Sequence, residues 1–240
     1  WLAFFTYGGI ESRVFDAVLH ELVHSARYGV HVIYQRVSED ALISRSRSWA
    51  ATCFLEDSDA DVLFMLDHDV EFEHGALCET AVRAASLCAV VGGMYACRGR
   101  SEGHASCLAV GEGDSFKVGV DRMHLADFVA GGFCAIPRRA LATVTTKFLR
   151  EDALPDLRLN RCLYEPRPII DFFRPFAAPS RRKDHEGDRE YLSEDWAWSE
   201  RARSAGVPLY VWSKPRLVHH GRYGFDVDDG RRGFDAARSR

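Results

Sequence analysis

The chain has 240 residues, of which 47% are hydrophobic, and its 31 basic and 35 acidic side chains give a formal net charge of −4. This hydrophobic content is enough to bury the core of a large domain, which excludes an intrinsically disordered chain. The slightly acidic balance excludes a general electrostatic attraction to nucleic acid or to an anionic membrane, but it is compatible with a local basic patch.

The cysteines and the apolar runs indicate the compartment. Seven cysteines are scattered singly and no C-x-x-C pair occurs, which argues against a zinc ribbon and against a disulfide framework. No apolar run reaches the roughly 18 to 20 residues that cross a bilayer, so we expect no membrane span. Together these features predict reduced thiols and a cytoplasmic location.

The first third of the chain alternates short apolar runs with amphipathic segments, which is typical of β-α-β units and a largely parallel sheet. WLAFFT predicts a first strand, and apolar residues at every fourth position predict a helix from Glu11 to about Arg27. VHVIYQ predicts a second strand, and Ser38 offers a cap for a helix through ALISRSRSWAATCFL. Val62 to Leu66 is fully apolar, as buried parallel strands are, and a helix over 75–86 leads to a fourth strand, AVVGGMY.

The rest of the chain is richer in glycine, and GRSEGHASCLAVGEGDSFKVG suggests hairpins or a loop across the sheet. DFVAGGFCAIPRRAL predicts a strand, a Gly-Gly turn, a second strand and a helix that opens at Pro137. Residues 174–189 combine proline, glycine and mixed charge, which predicts an exposed, mobile loop and a candidate lid. SEDWAWSERARSAG predicts a helix capped by Ser193 and ended by Gly206, and PLYVWSKPRLVHHG predicts two short strands.

Acidic residues follow the third predicted strand directly. In an open α/β sheet, ligands bind outside the carboxyl ends of the strands, and Asp67 and Asp69 stand at such an end. Two aspartates at i and i+2 on an extended backbone point to the same side, so both can reach one Mg²⁺ or Mn²⁺ ion that also holds a diphosphate. The alternative is that Asp67 caps a turn while Asp69 is solvated, but the buried strand before them favours the metal site.

Two downstream segments supply residues that could complete such a site. A neutral imidazole is a suitable further ligand, and His219 and His220 lie just past a predicted strand, although such a pair is more often a packed or surface feature. Glu194 and Asp195 open a helix, where acids commonly complement the helix dipole. If this helix end faces a cleft, one of these carboxylates could act as a general base toward a hydroxyl group.

These elements, in this order, resemble those of nucleotide-sugar glycosyltransferases of the GT-A fold. D-x-D in MLDHDVEF, the Gly-Gly turn in VAGGFCAIPRRAL, x-E-D in LSEDWAW and H-x-G in LVHHGRYGF all match, and the similarity covers the chain from the first strand to about Phe225. The fold implied is an α/β sandwich with a mostly parallel, Rossmann-like sheet between helices and a smaller antiparallel acceptor-side region. The single domain 1–240 would then comprise a nucleotide-binding half (1–98), a sugar and acceptor half (99–225) and a tail (226–240).

The resemblance also implies roles for individual residues. Asp69 would be the most direct metal ligand, with Asp67 toward the ribose and metal, and His219 rather than His220 would be the histidine ligand. Asp195, with Glu194 beside it, would be the catalytic base of an inverting enzyme. The donor would further be contacted by residues from three other segments: Thr6, Arg47 or nearby Arg45, Gly131 and Gly132. Two positions depart from the usual pattern, Ser48 in place of asparagine and Ala96 in place of proline, which puts details of donor binding in doubt.

The activity implied is transfer of a sugar, such as a hexose, from a nucleotide sugar (UDP-sugar above all) to an acceptor hydroxyl, with Mn²⁺ or Mg²⁺ as cofactor. Glycan, protein and lipid-linked acceptors remain open, as does a hydroxymethylated DNA base, since the resemblance includes viral members; the location would then be the host cytoplasm. Retention of the anomeric configuration is not excluded. The alternatives are a catalytically silent module that binds a glycan or a partner, and a nucleotidyltransferase, for which TYGGIESR is a poor phosphate loop.

Overall fold

The structure is a computed structural model that describes residues 1–7, 9–38, 40–97, 103–109, 116–164, 166–180, 187–221 and 224–226. The parts of the predicted hairpin region at 98–102 and 110–115, the centre of the predicted loop at 181–186 and the tail beyond 226 lie outside these residues. Among the described residues, none of the helices has the length and apolar character needed to cross a membrane. All seven cysteines lie in the described part, and each is a free thiol.

The described helices and strands alternate along the first half of the chain. The helices are α1 (Ser12–His24), followed by a 3₁₀ turn (Ser25–Tyr28), α2 (Ile43–Asp57), α3 (Ala76–Leu87), α4 (Arg138–Phe148) and α5 (Glu194–Ser204). The strands are β1 (Leu2–Thr6), β2 (Tyr34–Ser38), β3 (Val62–Asp67), β4 (Val70–Phe72), β5 (Val90–Gly92), β6 (Cys107–Leu108), β7 (Met123–Phe128), β8 (Phe133–Pro137), β9 (Arg161–Cys162), β10 (Ile169–Ile170), β11 (Phe176–Pro179), β12 (Arg189–Leu192), β13 (Leu209–Trp212), β14 (Leu217–His220) and β15 (Gly224–Asp226).

The central sheet has eight strands in the order β2-β1-β3-β8-β5-β13-β7-β6. β2, β1 and β3 pair in parallel, as do β5 and β13, whereas β8 runs antiparallel between β3 and β5. β7 is antiparallel to both β13 and β6. Six strands of this sheet therefore run in one direction and two in the other, which confirms the predicted mostly parallel α/β sheet.

Helices cover both faces of the sheet. Successive side chains of a strand point to opposite faces, so each central strand contributes to a buried cluster on either side. On β1, Ala3 and Phe5 join one buried cluster together with residues of α2, α4 and α5. Leu2 and Phe4 join a second buried cluster together with residues of α1 and α3. Burial on both faces explains why β1, β3 and β8 read as continuous apolar runs in the sequence.

A second, three-stranded sheet stands at the carboxyl end of β3, in the order β15-β14-β4. β4 begins three residues after Asp67, and it pairs antiparallel with β14, placing Val70 opposite His219 and Glu71 opposite Val218. This pairing brings together two segments that are far apart in the sequence.

Four predictions about local structure were wrong. The second strand, predicted at VHVIYQ, begins only at Tyr34, and the fourth is limited to Val90–Gly92. Ser38 ends β2 instead of capping α2, and Asp40 accepts the hydrogen bond from the backbone N–H of Leu42 at 2.9 Å. Within the predicted mobile loop at 174–189, Phe176–Pro179 forms β11, which pairs antiparallel with β12, a strand that begins at Arg189.

Candidate functional site

The centre of the candidate site is Arg47, which α2 places under the carboxyl end of β3. Its Nη2 donates to both carboxylate oxygens of Asp67, at 3.0 and 2.8 Å, and its Nη1 lies 3.3 Å from Oε1 of Glu194 at the start of α5. The Arg47 side chain is only 3% exposed. One buried cation therefore joins the predicted D-x-D and E-D elements.

The Gly131-Gly132 turn before β8 packs directly on this arginine. A Cβ atom on Gly131 would lie 1.5 Å from Nη1 of Arg47, so only glycine fits at this position while the arginine stays in place. The backbone carbonyl of Gly132 accepts a hydrogen bond from the N–H of Asp67 at 3.0 Å. The predicted turn thus lies beside the first aspartate of D-x-D.

Asp195 is held in one orientation by three hydrogen bonds. Its Oδ1 accepts from the hydroxyl of Ser193 at 2.6 Å and from the backbone N–H of Trp196 at 2.8 Å. Its Oδ2 accepts from the backbone N–H of Gly131 at 3.2 Å. Ser193 occupies the predicted cap position, but its hydroxyl bonds to Asp195 rather than to the backbone.

His219 and Asp69 form the second part of the site. The Nδ1 atom of His219 lies 2.9 Å from the backbone oxygen of Ala96, and its Nε2 lies 3.7 Å from Oδ1 of Asp69. Because a carbonyl oxygen only accepts, Nδ1 donates its proton to Ala96, and Nε2 is the ring nitrogen on the Asp69 side. The neighbouring His220 turns away and contacts Glu71 through Nε2 at 2.7 Å.

Tyr95 connects the two parts, and it was not among the predicted site residues. Its hydroxyl oxygen accepts from the N–H of Gly132 at 3.0 Å, and its ring packs edge-on against His219 with 5.1 Å between centroids. The sequence signal was present, since Tyr95 is the last residue of the fourth predicted strand, AVVGGMY, but periodicity alone does not assign it a contact. The next residue, Ala96, contributes only its carbonyl, so the departure from proline leaves this contact with His219 intact.

Two further predicted site residues, Arg45 and Thr6, and the departing Ser48 form hydrogen bonds to residues outside this cluster. Arg45 lies on the exposed side of α2, where it pairs with Asp40 at 2.7 Å. Ser48 accepts from the backbone N–H of Phe173 at 3.1 Å and so joins α2 to the segment after β10. Thr6 ends β1 one residue beyond the pairing of Phe5 with Asp67, and its hydroxyl accepts from Nε of Arg36 at 3.0 Å.

Burial and charge shift the pKa values of the central groups. Burial raises the pKa of Glu194, an effect that Arg47 opposes and Asp195 reinforces. Burial, and then the charges of Asp67 and Asp195, raise the pKa of the Tyr95 phenol well above its usual value. Burial alone would lower the pKa of Arg47, but the surrounding carboxylates outweigh it and the pKa is raised, so the guanidinium stays charged.

The described residues contain no group of three His, Cys, Asp or Glu side chains arranged to hold a metal ion. The two predicted aspartate ligands have different partners: Asp67 accepts hydrogen bonds from Arg47, whereas Asp69 faces His219. A cleft of about 790 Å³ lies at the opposite end of the central sheet, between Trp1 and Val62, away from these groups.

No protein-family model matches the chain, and no curated protein matches it by sequence. The fold is similar to solved structures, including A197 from STIV, with a TM-score of 0.53 and 17% identity over 92% of this chain and 85% of that chain. It is also similar to GalNAc-T7, crystallised with UDP, GalNAc and Mn²⁺, with a TM-score of 0.51 and 11% identity over 92% of this chain and 44% of that chain. The chain thus spans less than half the length of GalNAc-T7.

At these identities the similarity shows the fold alone. The fold is GT-A-like: a mostly parallel α/β sheet between helices, accompanied by small antiparallel sheets. This agrees with the architecture that the sequence resemblance implied, while the roles of the individual residues stay predictions.

Proposed function

We propose that the chain is a metal-dependent glycosyltransferase that moves a sugar from a nucleotide sugar, such as a UDP-sugar, to an acceptor hydroxyl. The observation that carries the proposal is the orientation of His219 toward Asp69 at 3.7 Å, with the opposite ring nitrogen fixed by the Ala96 carbonyl. A metal-binding histidine is commonly oriented in this way by a backbone carbonyl. The neighbour GalNAc-T7, crystallised with UDP and Mn²⁺, supports the choice of donor and cation.

The residues present fit a divalent cation of the Mn²⁺ or Mg²⁺ type. Asp69 and His219 would hold it through Oδ1 and Nε2, leaving further positions for water and for diphosphate oxygens, as these ions prefer. The bound ion would stabilise the negative charge that develops on the leaving diphosphate. Asp67 would act through Arg47 and toward the donor ribose, since both of its carboxylate oxygens accept from that guanidinium.

Asp195 is the proposed base. Its Oδ1 is occupied by two hydrogen bonds, whereas its Oδ2 accepts one longer bond from Gly131 and retains a lone pair. That oxygen would accept the proton of the acceptor hydroxyl as its oxygen attacks the anomeric carbon and the bond to the diphosphate breaks. An in-line displacement of this kind inverts the anomeric centre.

Arg47 and Glu194 are assigned supporting roles in this chemistry. The buried guanidinium keeps its charge beside the position proposed for the leaving diphosphate, which stabilises developing negative charge without rearrangement. Glu194 lies 3.3 Å from Arg47, so we assign it to fixing the arginine rather than to accepting the acceptor proton.

The first experiment measures donor binding and hydrolysis across UDP-, GDP- and TDP-sugars, with Mn²⁺ or with a chelator. We expect one donor to bind only with the metal, and Asp69→Asn to abolish that binding. The exposed Asp59 lies outside the site, so Asp59→Asn is the matched control and should bind as the wild type does. Failure of every nucleotide sugar to bind would contradict the proposal.

A second variant tests catalysis separately from binding. Asp195→Asn should keep donor binding and lose hydrolysis and transfer by about 10²-fold or more, because general-base catalysis contributes on that order. Donor binding without any turnover by the wild type, across glycan, protein and nucleic-acid acceptors, would instead favour a silent binding module. Release of pyrophosphate from a nucleoside triphosphate and a sugar phosphate would favour a nucleotidyltransferase.

A further inference from the structure

Three histidines stack on one another where α1 meets the segment that leads into α3. His20 and His24 lie one turn apart on α1, with 4.3 Å between their ring centroids and 24° between the ring planes. His74, in the connection between β4 and α3, lies 3.7 Å from His20, and these two rings are only 6° from parallel. His20 is therefore common to both contacts. We call these three rings the histidine stack.

The residue that follows His20 fixes the same contact through the backbone. Glu21 is fully buried, and one of its carboxylate oxygens accepts a hydrogen bond from the N–H of Gly75. The other oxygen accepts from the N–H of Cys78 at 3.1 Å. These N–H groups stand at the start of α3, where a helix leaves N–H groups unpaired and its dipole favours an anion. The stack and Glu21 thus join α1 to the β4–α3 connection.

The hydrogen bonds of the stack leave one ring nitrogen exposed to a charge effect. Nδ1 of His24 lies 3.0 Å from the backbone oxygen of His20 and donates its proton there, since a carbonyl oxygen only accepts. Nδ1 of His20 lies 3.8 Å from a carboxylate oxygen of Glu21 and, among the described residues, has no hydrogen-bond partner. His20 is half-buried, so protonation of its ring would place a charge between two other imidazoles.

The other ionisable groups around the stack offer little compensation for added positive charge. On α1 and the turn after it, Asp16 one turn before His20 and Arg27 shortly after His24 carry opposite charges. The groove beside His74 is lined by Glu71, which is already paired with His220, and by the oppositely charged Glu73 and Arg216. Two neutral groups complete the surroundings at the start of α3, the Tyr28 hydroxyl and the buried Cys78 thiol, whose pKa burial raises.

The pKa of His20 reflects these surroundings. Burial lowers this pKa from its ordinary value of 6.5, the charges of His74 and His24 lower it further, and Glu21 opposes them. The unfolded chain therefore binds this proton more readily than the folded protein does. The contribution of the stack to stability is complete above the unfolded pKa and falls as the pH drops from that value toward the folded pKa.

We propose that the histidine stack is a pH-sensitive latch, which holds α1 on the start of α3 while the rings are neutral and opens as they become protonated. Neutral imidazoles 3.7 Å apart pack on each other, whereas two imidazolium ions at that separation repel. Glu21 cannot compensate several cations, because both of its oxygens already accept from the backbone. Acidification below about pH 6.5 should therefore free the N–H groups of Gly75 and Cys78 in a local opening.

Amide hydrogen exchange tests the latch directly, followed by NMR from about pH 7.5 to about pH 5.5 and expressed as protection factors. In the wild type, the N–H groups of Gly75 and Cys78 should lose protection about tenfold or more over this range, since one pKa unit corresponds to a factor of ten. The amides of β3, in the interior of the central sheet, are the internal reference and should keep their protection.

His20→Gln removes the ring that is common to both contacts, so it should abolish the pH dependence of protection at Gly75 and Cys78. His31→Gln is the matched control, because His31 is exposed and lies outside the stack, and it should behave as the wild type does. Full protection in the wild type at about pH 5.5 would overturn the proposal, as would an equal loss of protection in His20→Gln.

Titration of the His20 ring signals in the wild type is a second measurement, which does not depend on the folding of a His20 variant. The pKa should lie below 6.5, and His74→Gln, at an exposed position, should raise it because the charge of His74 lowers it. A pKa of His20 at or above 6.5, or one that His74→Gln leaves unchanged, would overturn the proposal. Neither measurement involves a nucleotide sugar, so the result is independent of the proposed transferase activity.

Discussion

Replacing Gly131 by alanine tests the packing of the proposed donor site most directly. The added Cβ would lie 1.5 Å from Nη1 of Arg47 and 2.4 Å from its Cζ, far below any contact that atoms tolerate. The guanidinium cannot turn aside freely, because it is 3% exposed and held by Asp67 and Glu194. The substitution must therefore displace either the arginine or the turn.

The contacts set the size of the expected effect. Over-packing of a filled site costs about 1 to 3 kcal/mol, and separating a buried ion pair costs about 3 to 5 kcal/mol. The partner carboxylates are 25% and 19% exposed, so water compensates part of the second term. We expect a loss of about 3 kcal/mol in the free energy of unfolding, which for a chain of this size lowers the melting temperature by about 6 to 12 °C.

The assay combines thermal unfolding with donor binding by calorimetry in the presence of Mn²⁺. Gly131→Ala should lower the melting temperature and weaken donor binding together, since both depend on the position of Arg47. Gly9→Ala is the control, because no atom lies within 4 Å of the added Cβ, and it should change stability by less than about 0.5 kcal/mol. A Gly131→Ala protein that unfolds within about 2 °C of the wild type and binds the donor equally well would refute the reasoning.

Three further predictions concern the remaining contacts. His219→Ala should weaken Mn²⁺-dependent donor binding about tenfold or more. His220→Ala, which removes only a contact to Glu71, should leave donor binding unchanged. Equal losses of affinity for the two variants in titration calorimetry would contradict the assignment of His219. Tyr95→Phe leaves the buried N–H of Gly132 without its acceptor and should cost about 1 to 3 kcal/mol in urea unfolding. Burial raises the pKa of Glu194 in the folded state, so the folded protein holds this proton more tightly than the unfolded chain does. Stability should therefore fall as the pH rises from the unfolded pKa of Glu194 through its folded pKa. Over that pH range the melting temperature of the wild type should fall relative to that of Glu194→Gln, and parallel curves for the two proteins would refute this.

The parts of the fold that the sequence predicted well are those buried on both faces. β3 is apolar up to its last residue, Asp67, and β8 is apolar throughout, so both read directly as strands. β2 is an edge strand with alternating exposed and half-buried side chains. Because several of its residues are polar, the prediction placed the strand on the apolar run that precedes it. The fourth strand ends early at Gly92, where a Cβ would lie 2.2 Å from Val129, so this glycine marks a close backbone approach rather than a continuing strand.

Composition misled the prediction for residues 174–189. Proline, glycine and charge predicted a loop, but Phe176, Ala178 and Leu192 are buried in a small apolar cluster with Ala197 of α5. The hairpin is stabilised by that cluster and by backbone pairing between β11 and β12, neither of which depends on an alternating sequence pattern.

The candidate site shows the same division between local and long-range information. Local patterns predicted Asp67, Asp69, Asp195 and the Gly-Gly turn because each follows a recognisable strand or opens a helix. The approach of His219 to Asp69 depends on pairing between β4 and β14, which no local pattern specifies. The resemblance favoured Arg47 and kept Arg45 as the nearby alternative; residues two apart on a helix face different directions, and the packing of α2 turns Arg47 inward.

The charges of the site explain why a cation and an anionic donor would have to bind together. Three carboxylates (Asp67, Glu194 and Asp195) surround Arg47 and a fourth, Asp69, lies beside His219, so the ionised cluster carries an excess of negative charge. The raised pKa of Glu194 is one sign of this excess, because its neighbour Asp195 adds to the effect of burial. A diphosphate entering alone would meet net repulsion, whereas one that arrives with a divalent ion between Asp69 and His219 would meet attraction. Dependence of donor binding on metal would then follow from charge balance within the site, whichever sugar the donor carries.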